Sequence, residues 1–276
     1  DAAVSEEEQA KVYEEVASAL APAPVIIRTL DIGGDKFFSE SDVMQEANPF
    51  LGCRSIRLSL KNPDQFRSQL RAILRSNIHG NVKLMYPMIS SVTEVIQANA
   101  ILEEAKKDLE SEGATFRKKI EVGVMIEIPS AALTAASIAR HVDFFSLGTN
   151  DLVQYTIAVD RANESVSYLY EPAHPGVLKL IEATVRAGHD NNIWVGLCGE
   201  MAADPVLALL LVGLDIDEFS VAPASTPLVK DAIRSVSYAR ATELAAEALK
   251  CQTGAEVRRL CRDLTREVAP EVLELV

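Results

Sequence analysis

The sequence predicts an α/β fold, a (β/α)8 TIM-like barrel with extra C-terminal helices. Short, unbroken apolar runs rich in β-branched residues recur along the chain, as in buried parallel strands. Helical stretches alternate with these runs, and 276 residues with 48% hydrophobic composition come close to the roughly 250 residues typical of such a barrel. We expect one domain over residues 1–276, in which residues 1–24 form a helical lead-in.

Six of the apolar runs are predicted strands. They are VIIRTLDI (25–32), VKLMYPM (82–88), EVGVMIEI (121–128), DFFSLG (143–148), IWVGLC (193–198) and EFSVA (218–222). An eight-stranded barrel needs two more, which we expect at SIRLSL (55–60) and around residues 157–169.

Helical patterns fill the connections between the strands. The stretch 90–113 begins with a Ser suited to an N-cap and ends at a Gly, and the stretch 174–192 follows Pro175 with apolar residues at a 3.6-residue period. From Pro227 onward only helices follow the last strand, and we expect them to flank the barrel or close it.

Composition and charge exclude several classes of protein. The net charge of −13 disfavours nucleic-acid binding, which depends on a basic patch. The chain has no apolar run of about 18 residues, and its acidic start differs from a secretory signal, so we expect no membrane span and a cytoplasmic location. None of the four cysteines lies in a CxxC or zinc-like pattern, and we expect free thiols.

Polar residues directly after the predicted strands are the candidate functional residues, because the carboxyl ends of barrel strands form the usual active-site rim. These residues are Arg28, Asp31, Glu127, Asn150, Asp151, Cys198 and Glu200. If the strands are parallel, all of them converge on one edge.

Glu127 and Asp151 are candidate metal ligands. Mg²⁺ is usually held by one or two carboxylates together with substrate oxygens and water. The alternative is a role at helix starts, because Pro129 is suited to open a helix and an acid is favoured in the first turn. Spacing alone leaves both interpretations open.

Arginines near the strand ends are candidate anion ligands. Arg28 lies within an apolar strand, so it must pair with an acid such as Asp31 or meet a ligand. Arg54, Arg57 and Arg161 each carry the planar fork that binds phosphate or carboxylate. A structural salt bridge is the open alternative for each of them.

Glycines mark two further segments. DIGGDK (31–36) lacks the spacing of a P-loop or a dinucleotide fold, and we interpret Gly33 and Gly34 as a tight turn. Cys198 ends a strand between Gly196 and Gly199, where backbone can approach a ligand closely. It is either a reactive thiol or a buried, inert one.

Five segments in series carry a resemblance to a known family. They are RTLDIGGDK (28–36), NPFLGCRSIRL (48–58), GVMIEIPSA (123–131), DFFSLGTNDLVQYTIAVDR (143–161) and GLCGEMAADP (196–205). Together they resemble the C-terminal domain of enzyme I of the bacterial phosphoenolpyruvate:sugar phosphotransferase system. Pyruvate phosphate dikinase and phosphoenolpyruvate synthase share this barrel, but DIGGDK with NDLVQYTIAVDR is more similar to enzyme I.

The resemblance implies a role for each candidate. Arg28, Arg54 and Arg161 fall where the family binds the phosphate and carboxylate of phosphoenolpyruvate, and Asn150 falls where it contacts the phosphate. Glu127 and Asp151 fall on the Mg²⁺ ligands, with Asp151 also beside the substrate. Cys198 falls on the proton donor to the enolate carbon.

The resemblance also implies partners. Family members pass the phosphoryl group to a histidine on a separate N-terminal phosphohistidine domain, and from there to the carrier HPr. No acceptor segment of the GGxTSH kind occurs here, so we expect the substrate-binding part of a longer protein, and a homodimer. Cys53, Ser55 and Ala203 depart from the family pattern at positions that are not ligands.

Two other functions stay open from the sequence. A metal-dependent lyase would use the same Glu127 and Asp151 pair on an enolate, but it would not require Cys198 or three anion-binding arginines. A catalytically silent sensor or dimerisation module would tolerate the loss of both carboxylates.

Overall fold

A computed structural model describes residues 4–32 and 48–275. These residues divide into two compact units, one within Asp1–Met125 and His141–Asp143, the other within Ile126–Arg140 and Phe144–Val276. The expectation of a single domain stays a prediction. The proposed turn at Gly33 and Gly34 lies outside the described residues.

The first unit contains strand–helix–strand connections. Its elements are α1 (Glu6–Leu20), β1 (Val25–Arg28), α2 (Ser55–Lys61), α3 (Pro63–Ser76), β2 (Val82–Tyr86), α4 (Val92–Ser111) and β3 (Glu121–Ile126), whose last residue belongs to the second unit. The strands pair in parallel, β1 with β2 and β2 with β3. The helix predicted after β2 is confirmed, since Ser91 caps α4 in a capping box with Glu94.

The second unit repeats this alternation and then adds helices. Its elements are α5 (Pro129–Leu133), α6 (Ala135–Ala139), β4 (Phe144–Gly148), α7 (Thr149–Ile157), α8 (Pro175–Asp190), β5 (Trp194–Cys198), α9 (Glu200–Ala203), α10 (Pro205–Gly213), β6 (Glu218–Ser220), α11 (Thr226–Ser235), α12 (Tyr238–Ala248) and α13 (Gly254–Val268). β4 pairs with β5 and β5 with β6, again in parallel. All six predicted strands and the C-terminal helices are therefore confirmed.

Apolar packing explains why these runs become strands. Leu84 and Tyr86 of β2 are fully buried, and the Tyr86 ring meets Phe66 of α3 edge-on, with 6.1 Å between ring centroids. In the second unit Phe144 of β4 stacks on Trp194 of β5 at 4.5 Å. Such aromatic contacts add to the stabilisation from buried apolar area.

The two additional strands were wrongly predicted. Residues 55–60 lie in helix α2, where Ile56 and Leu58 are buried and the Ser59 hydroxyl donates to the backbone oxygen of Ser55. Alternating Ile and Leu in SIRLSL imitates a strand period, but helical packing decides the outcome.

Residues 158–169 form turns and a short 3₁₀ segment, Ser167–Leu169. Asp160 Oδ1 accepts from the backbone N–H of Ala162, and Asn163 Oδ1 from that of Ser165. Such local side-chain bonds compete with a strand ladder.

Every helix among residues 4–32 and 48–275 is too short or too polar to cross a lipid bilayer.

Candidate functional site

The candidate residues lie at the carboxyl ends of parallel strands, as predicted. Arg28 ends β1, Glu127 directly follows β3, and Cys198 ends β5. Asn150 and Asp151 lie in the first turn of α7, directly after β4. Arg28 belongs to the first compact unit, and the other four belong to the second.

In the first unit, Arg28 and Arg54 both pair with Asp31. Arg28 Nη1 lies 3.1 Å from Asp31 Oδ2, and Arg54 Nη2 lies 3.1 Å from Oδ1. The Ser55 hydroxyl also donates to Oδ1. Arg28 therefore has an acid partner, and Asp31 holds two guanidinium groups at the end of β1.

Burial acts to raise the pKa of Asp31. The hydrogen bond from Ser55 and the positive charges of Arg28 and Arg54 outweigh burial and hold that pKa below its ordinary value. The carboxylate is therefore ionised at neutral pH and orients the arginines.

Arg54 and Arg57 have different environments, although they lie three residues apart. Arg57 Nη1 donates to the backbone oxygens of Leu51 and Gly52, at 3.1 Å each, so this side chain holds the preceding loop. Arg54 packs over the Phe50 ring, 5.8 Å from its centroid. This geometry keeps Arg54 as a candidate ligand and gives Arg57 a structural role.

In the second unit, Asp151 and Arg161 form an ion pair. Arg161 Nη1 lies 3.0 Å from Asp151 Oδ1, and Asp151 is only 6% exposed. The backbone N–H of Arg161 donates to Gln154 Oε1 at 3.1 Å. The loop after α7 therefore returns to its first turn, where it sets a cation beside a buried carboxylate.

Asn150 connects this pair to the loop after β5. Its side-chain oxygen accepts from the backbone N–H of Glu200 at 2.9 Å, and its backbone oxygen accepts from the Tyr170 hydroxyl at 3.3 Å. Burial raises the pKa of Tyr170 to about 12, against the opposing charge of Arg161. Tyr170 is therefore a neutral donor over the physiological pH range.

Cys198 is tied to β4 and α7. Its thiol lies 3.8 Å from Ser146 Oγ and 3.5 Å from the backbone oxygen of Leu147, and Thr149 Oγ1 donates to the Cys198 backbone oxygen at 2.7 Å. Gly199 has φ +101°, and a Cβ there would lie 2.5 Å from Thr149 Oγ1. Glycine is therefore required for this close approach of β5 to α7.

Cys251 and Cys261 differ from Cys198 in their position in the fold. All four are free thiols, as predicted. Burial raises the pKa of Cys261 to about 12, which makes its thiol inert, and Cys251 lies between α12 and α13. Cys198 is partly exposed at the end of a strand, a position suited to chemistry.

Glu127 and Asp151 fit a magnesium donor set. Glu127 is 2% exposed and follows β3, so both carboxylates are buried at strand ends. No group of three or more His, Cys, Asp or Glu side chains suited to a metal occurs in the described part of the chain. Mg²⁺ does not require one, because substrate oxygens and water commonly complete its shell.

Sequence reasoning missed four residues that hold the candidates in place. Gln154 lies one helical turn after Asn150 and Asp151, so its position in NDLVQY is a usable signal. Ser55, Thr149 and Tyr170 carry no sequence signal for their partners. Their contacts with Asp31, Cys198 and Asn150 arise only in the folded chain.

Comparison with solved structures identifies the fold. An HpcH/HpaI aldolase/citrate lyase family protein from Burkholderia cenocepacia superposes with a TM-score of 0.51 at 16% sequence identity, covering 89% of this chain and 81% of that one. At this identity the likeness shows the fold alone. It confirms the predicted α/β class, of the TIM-barrel-like kind.

Curated relatives match at much higher identity. A phosphoenolpyruvate-protein phosphotransferase from Haemophilus influenzae is 47% identical over 263 residues, which cover 95% of this chain and 46% of that protein. A protein of the same name from Priestia megaterium is 50% identical over 235 residues, covering 85% and 41%. The chain therefore spans less than half the length of these relatives.

A family model described as PEP-utilising enzyme, PEP-binding domain matches residues 1–238. The match includes every candidate residue named above, from Arg28 to Cys198. The resemblance stated from the sequence motifs is confirmed, and the chain belongs to the phosphoenolpyruvate-binding domain family of phosphoenolpyruvate-utilising enzymes.

Proposed function

We propose that this chain is the phosphoenolpyruvate-binding part of a phosphoenolpyruvate-protein phosphotransferase. It donates the phosphoryl group to a histidine on a separate N-terminal domain and releases pyruvate. The observation that carries the proposal is the connected cluster of Asp151, Arg161, Asn150 and Cys198 at the ends of β4 and β5. The names of relatives up to 50% identical support it.

Positioning and charge neutralisation are the tasks of these side chains, because a transferring phosphoryl group has little covalent chemistry for a protein to perform. Arg28, Arg54 and Arg161 bind the phosphate and carboxylate, and Asn150 contacts the phosphate. Glu127 and Asp151 would hold Mg²⁺, which neutralises phosphate oxygens when bound. Asp151 also orients Arg161, since the two are 3.0 Å apart.

Cys198 provides the proton for the second half of the reaction. Breaking the bond from phosphorus to the enol oxygen leaves the enolate of pyruvate, and a proton must reach its carbon. The Cys198 thiol donates that proton and becomes a thiolate, which solvent later reprotonates. Protonation at carbon makes the release of the phosphoryl group effectively downhill.

The proposal also includes the partner domain, the carrier protein and the oligomeric state. The N-terminal phosphohistidine domain passes the phosphoryl group to HPr, in a cytoplasmic homodimer that serves sugar transport. A lyase reaction on the same fold has no support beyond the shared architecture, which hosts many activities. A pyruvate phosphate dikinase or phosphoenolpyruvate synthase reaction is not the activity named for the relatives described above.

Calorimetry with phosphoenolpyruvate, with and without Mg²⁺, tests the proposal. We expect saturable binding that requires Mg²⁺ and is lost in Glu127→Gln. Glu164→Gln is the matched control, because Glu164 is exposed and forms no hydrogen bond within the described residues. Adding the phosphohistidine domain in trans should then yield pyruvate. Binding that is absent, or indifferent to Mg²⁺, contradicts the proposal.

A further inference from the structure

A cavity lies in the first unit, at the opposite edge of its strands from Arg28. Its volume is about 550 Å³, within the range of small-molecule sites. The lining residues include Pro24, Asn81 and Ile120, which directly precede β1, β2 and β3. The cavity is thus at the amino-terminal edge of this parallel sheet, whereas Arg28 and Asp31 follow its carboxyl-terminal edge.

The charge of this cavity is opposite to that of the whole chain. Four basic side chains and one acidic side chain line it, in a protein with a net charge of −13. The basic residues are Lys83, Arg117, Lys118 and Lys119, and the acid is Glu121. A concentration of positive charge in an acidic protein attracts anions locally.

Internal ion pairs account for two of the four cations. Lys83 Nζ pairs with Glu121, and Lys118 Nζ lies 2.8 Å from Glu110 Oε1. The Lys119 side chain has no hydrogen bond or ion pair within residues 4–32 and 48–275. The charge of Lys119 is therefore available to a ligand.

Arg117 is held in place by backbone. Its Nε donates to the backbone oxygen of Ile78 at 2.8 Å, and its guanidinium lies against Gly80, where an added Cβ would be 3.3 Å away. Gly80 has φ +76°, a conformation that glycine adopts readily. The terminal nitrogens of Arg117 have no hydrogen-bond partner within the described residues, and Arg117 lines the cavity. Its guanidinium group is therefore available to an anion there.

The remaining wall is apolar and stiff. Pro22 and Pro24 line it together with Val82, which is 2% exposed. We propose that this cavity binds a small phosphate monoester, with Arg117 and Lys119 on the phosphate and the carbon skeleton against the two prolines. A guanidinium fork beside an ammonium matches a dianionic phosphate, and the prolines bind without losing side-chain freedom.

Titration with glycerol 3-phosphate tests the site, with inorganic phosphate and malate as comparison ligands. Lys119→Glu should weaken glycerol 3-phosphate binding at least tenfold, and Arg117→Lys should weaken it as well because the fork is lost. Inorganic phosphate should bind more weakly for want of the carbon skeleton, and malate more weakly still.

Lys107→Glu is the matched control. Lys107 is an exposed lysine of the same unit, on α4, and does not line the cavity. It carries the same change of charge and should alter the affinity less than twofold. Equal losses in Lys107→Glu and Lys119→Glu, no loss in Lys119→Glu, or equal affinity for malate would overturn the proposal.

The result is independent of the function proposed above. The Mg²⁺-dependent part of phosphoenolpyruvate binding should be the same in Lys119→Glu and in the parent chain, because Lys119 belongs to the other edge of the sheet. A loss of this Mg²⁺-dependent part in Lys119→Glu would contradict a separate site. The unfolding midpoint of Lys119→Glu should match the parent, since this exposed side chain forms no hydrogen bond or ion pair with the described residues.

Discussion

Asp31 shows how one buried carboxylate organises two arginines. Its partners Arg28 and Arg54 approach from β1 and from the residue before α2, and Ser55 adds a hydroxyl. Arg54 is buried enough that losing this partner leaves a poorly solvated charge. The Asp31 cluster therefore contributes to stability as well as to ligand binding.

We expect Asp31→Asn to lower the free energy of unfolding by about 2 kcal/mol at neutral pH. Because the pKa of Asp31 is depressed in the folded state, its stabilisation is present above the unfolded pKa of about 3.9 and is lost as pH falls through the folded pKa. Urea denaturation from pH 7 down to about pH 3 measures the difference, which should shrink in acid.

Asp64→Asn is the control for this experiment, because the Asp64 side chain is 99% exposed and its contact with Arg67 is 3.6 Å long. An exposed pair of this kind contributes little. If the difference in free energy of unfolding between Asp31→Asn and the parent chain stays constant with pH, the stabilisation does not come from an ionised Asp31.

Replacing Cys198 tests the proposed proton transfer separately from ligand binding. We expect Cys198→Ala to retain Mg²⁺-dependent phosphoenolpyruvate binding while transfer falls at least about 100-fold, the range in which general acids contribute. Pyruvate formation in the presence of the phosphohistidine domain measures the rate. Cys251→Ala is the matched thiol control and should transfer normally. Undiminished transfer in Cys198→Ala would remove its role as proton donor.

Gln154 is a positioning residue. Its side-chain oxygen holds the backbone N–H of Arg161, and it is 3% exposed. Gln154→Leu keeps a side chain of similar size but removes the hydrogen-bond acceptor. The Arg161 backbone then loses the contact that positions its side chain beside Asp151. We expect the affinity for phosphoenolpyruvate to fall about tenfold, which corresponds to about 1.4 kcal/mol of binding free energy. Calorimetry measures this change. Gln97→Leu, on the exposed face of α4, should bind normally, and a normal Gln154→Leu would contradict the assignment.

At the scale of elements, caps and close approaches determine where helices sit. Capping boxes begin α1, α4 and α13, each with a Ser or Thr followed three residues later by Glu. α10 is almost wholly buried and crosses α12 at Gly213, whose missing side chain lets the two backbones meet. Helix α12 therefore packs on α10 of the same unit through a close backbone approach.

Gly213→Ala should destabilise the second unit by about 3 kcal/mol or more, because an added Cβ would lie 1.9 Å from the Ala241 backbone oxygen. Thermal and urea unfolding measure the loss. Gly113→Ala is the control, since open space surrounds Gly113 and only its left-handed backbone, φ +69°, costs about 1 kcal/mol. Equal losses in the two variants would show that the crossing of α10 and α12 tolerates a side chain.

At the scale of the whole molecule, ligand binding and stability are linked. A ligand that binds only the folded chain adds about 2.7 kcal/mol of stability at a hundredfold excess over its Kd. We expect phosphoenolpyruvate with Mg²⁺ to raise the unfolding midpoint by that mechanism, and either component alone to raise it much less. Asp151→Asn should abolish the shift, and a shift that persists would exclude Asp151 as a ligand.

The sequence by itself determined the α/β class, six strands, the helices α4 and α8, and the C-terminal helices. Buried parallel strands need continuous apolar runs, and helices need a capping residue followed by apolar residues at a helical period. Both patterns can therefore be recognised within a short stretch of sequence. It also located Arg28, Glu127, Asn150, Asp151 and Cys198 at or after strand ends. The resemblance to a known family was recognisable because the five sequence motifs occur in the family's order.

Only the tertiary structure decided which of these residues touch. Asp31 binds two arginines and a serine hydroxyl, Arg57 turns to backbone, and Tyr170 reaches Asn150 from twenty residues away. The helix at 55–60 and the turns after residue 157 also depended on packing and on local side-chain bonds. Local patterns encode which face of an element is apolar, whereas contacts between distant residues depend on how the elements pack.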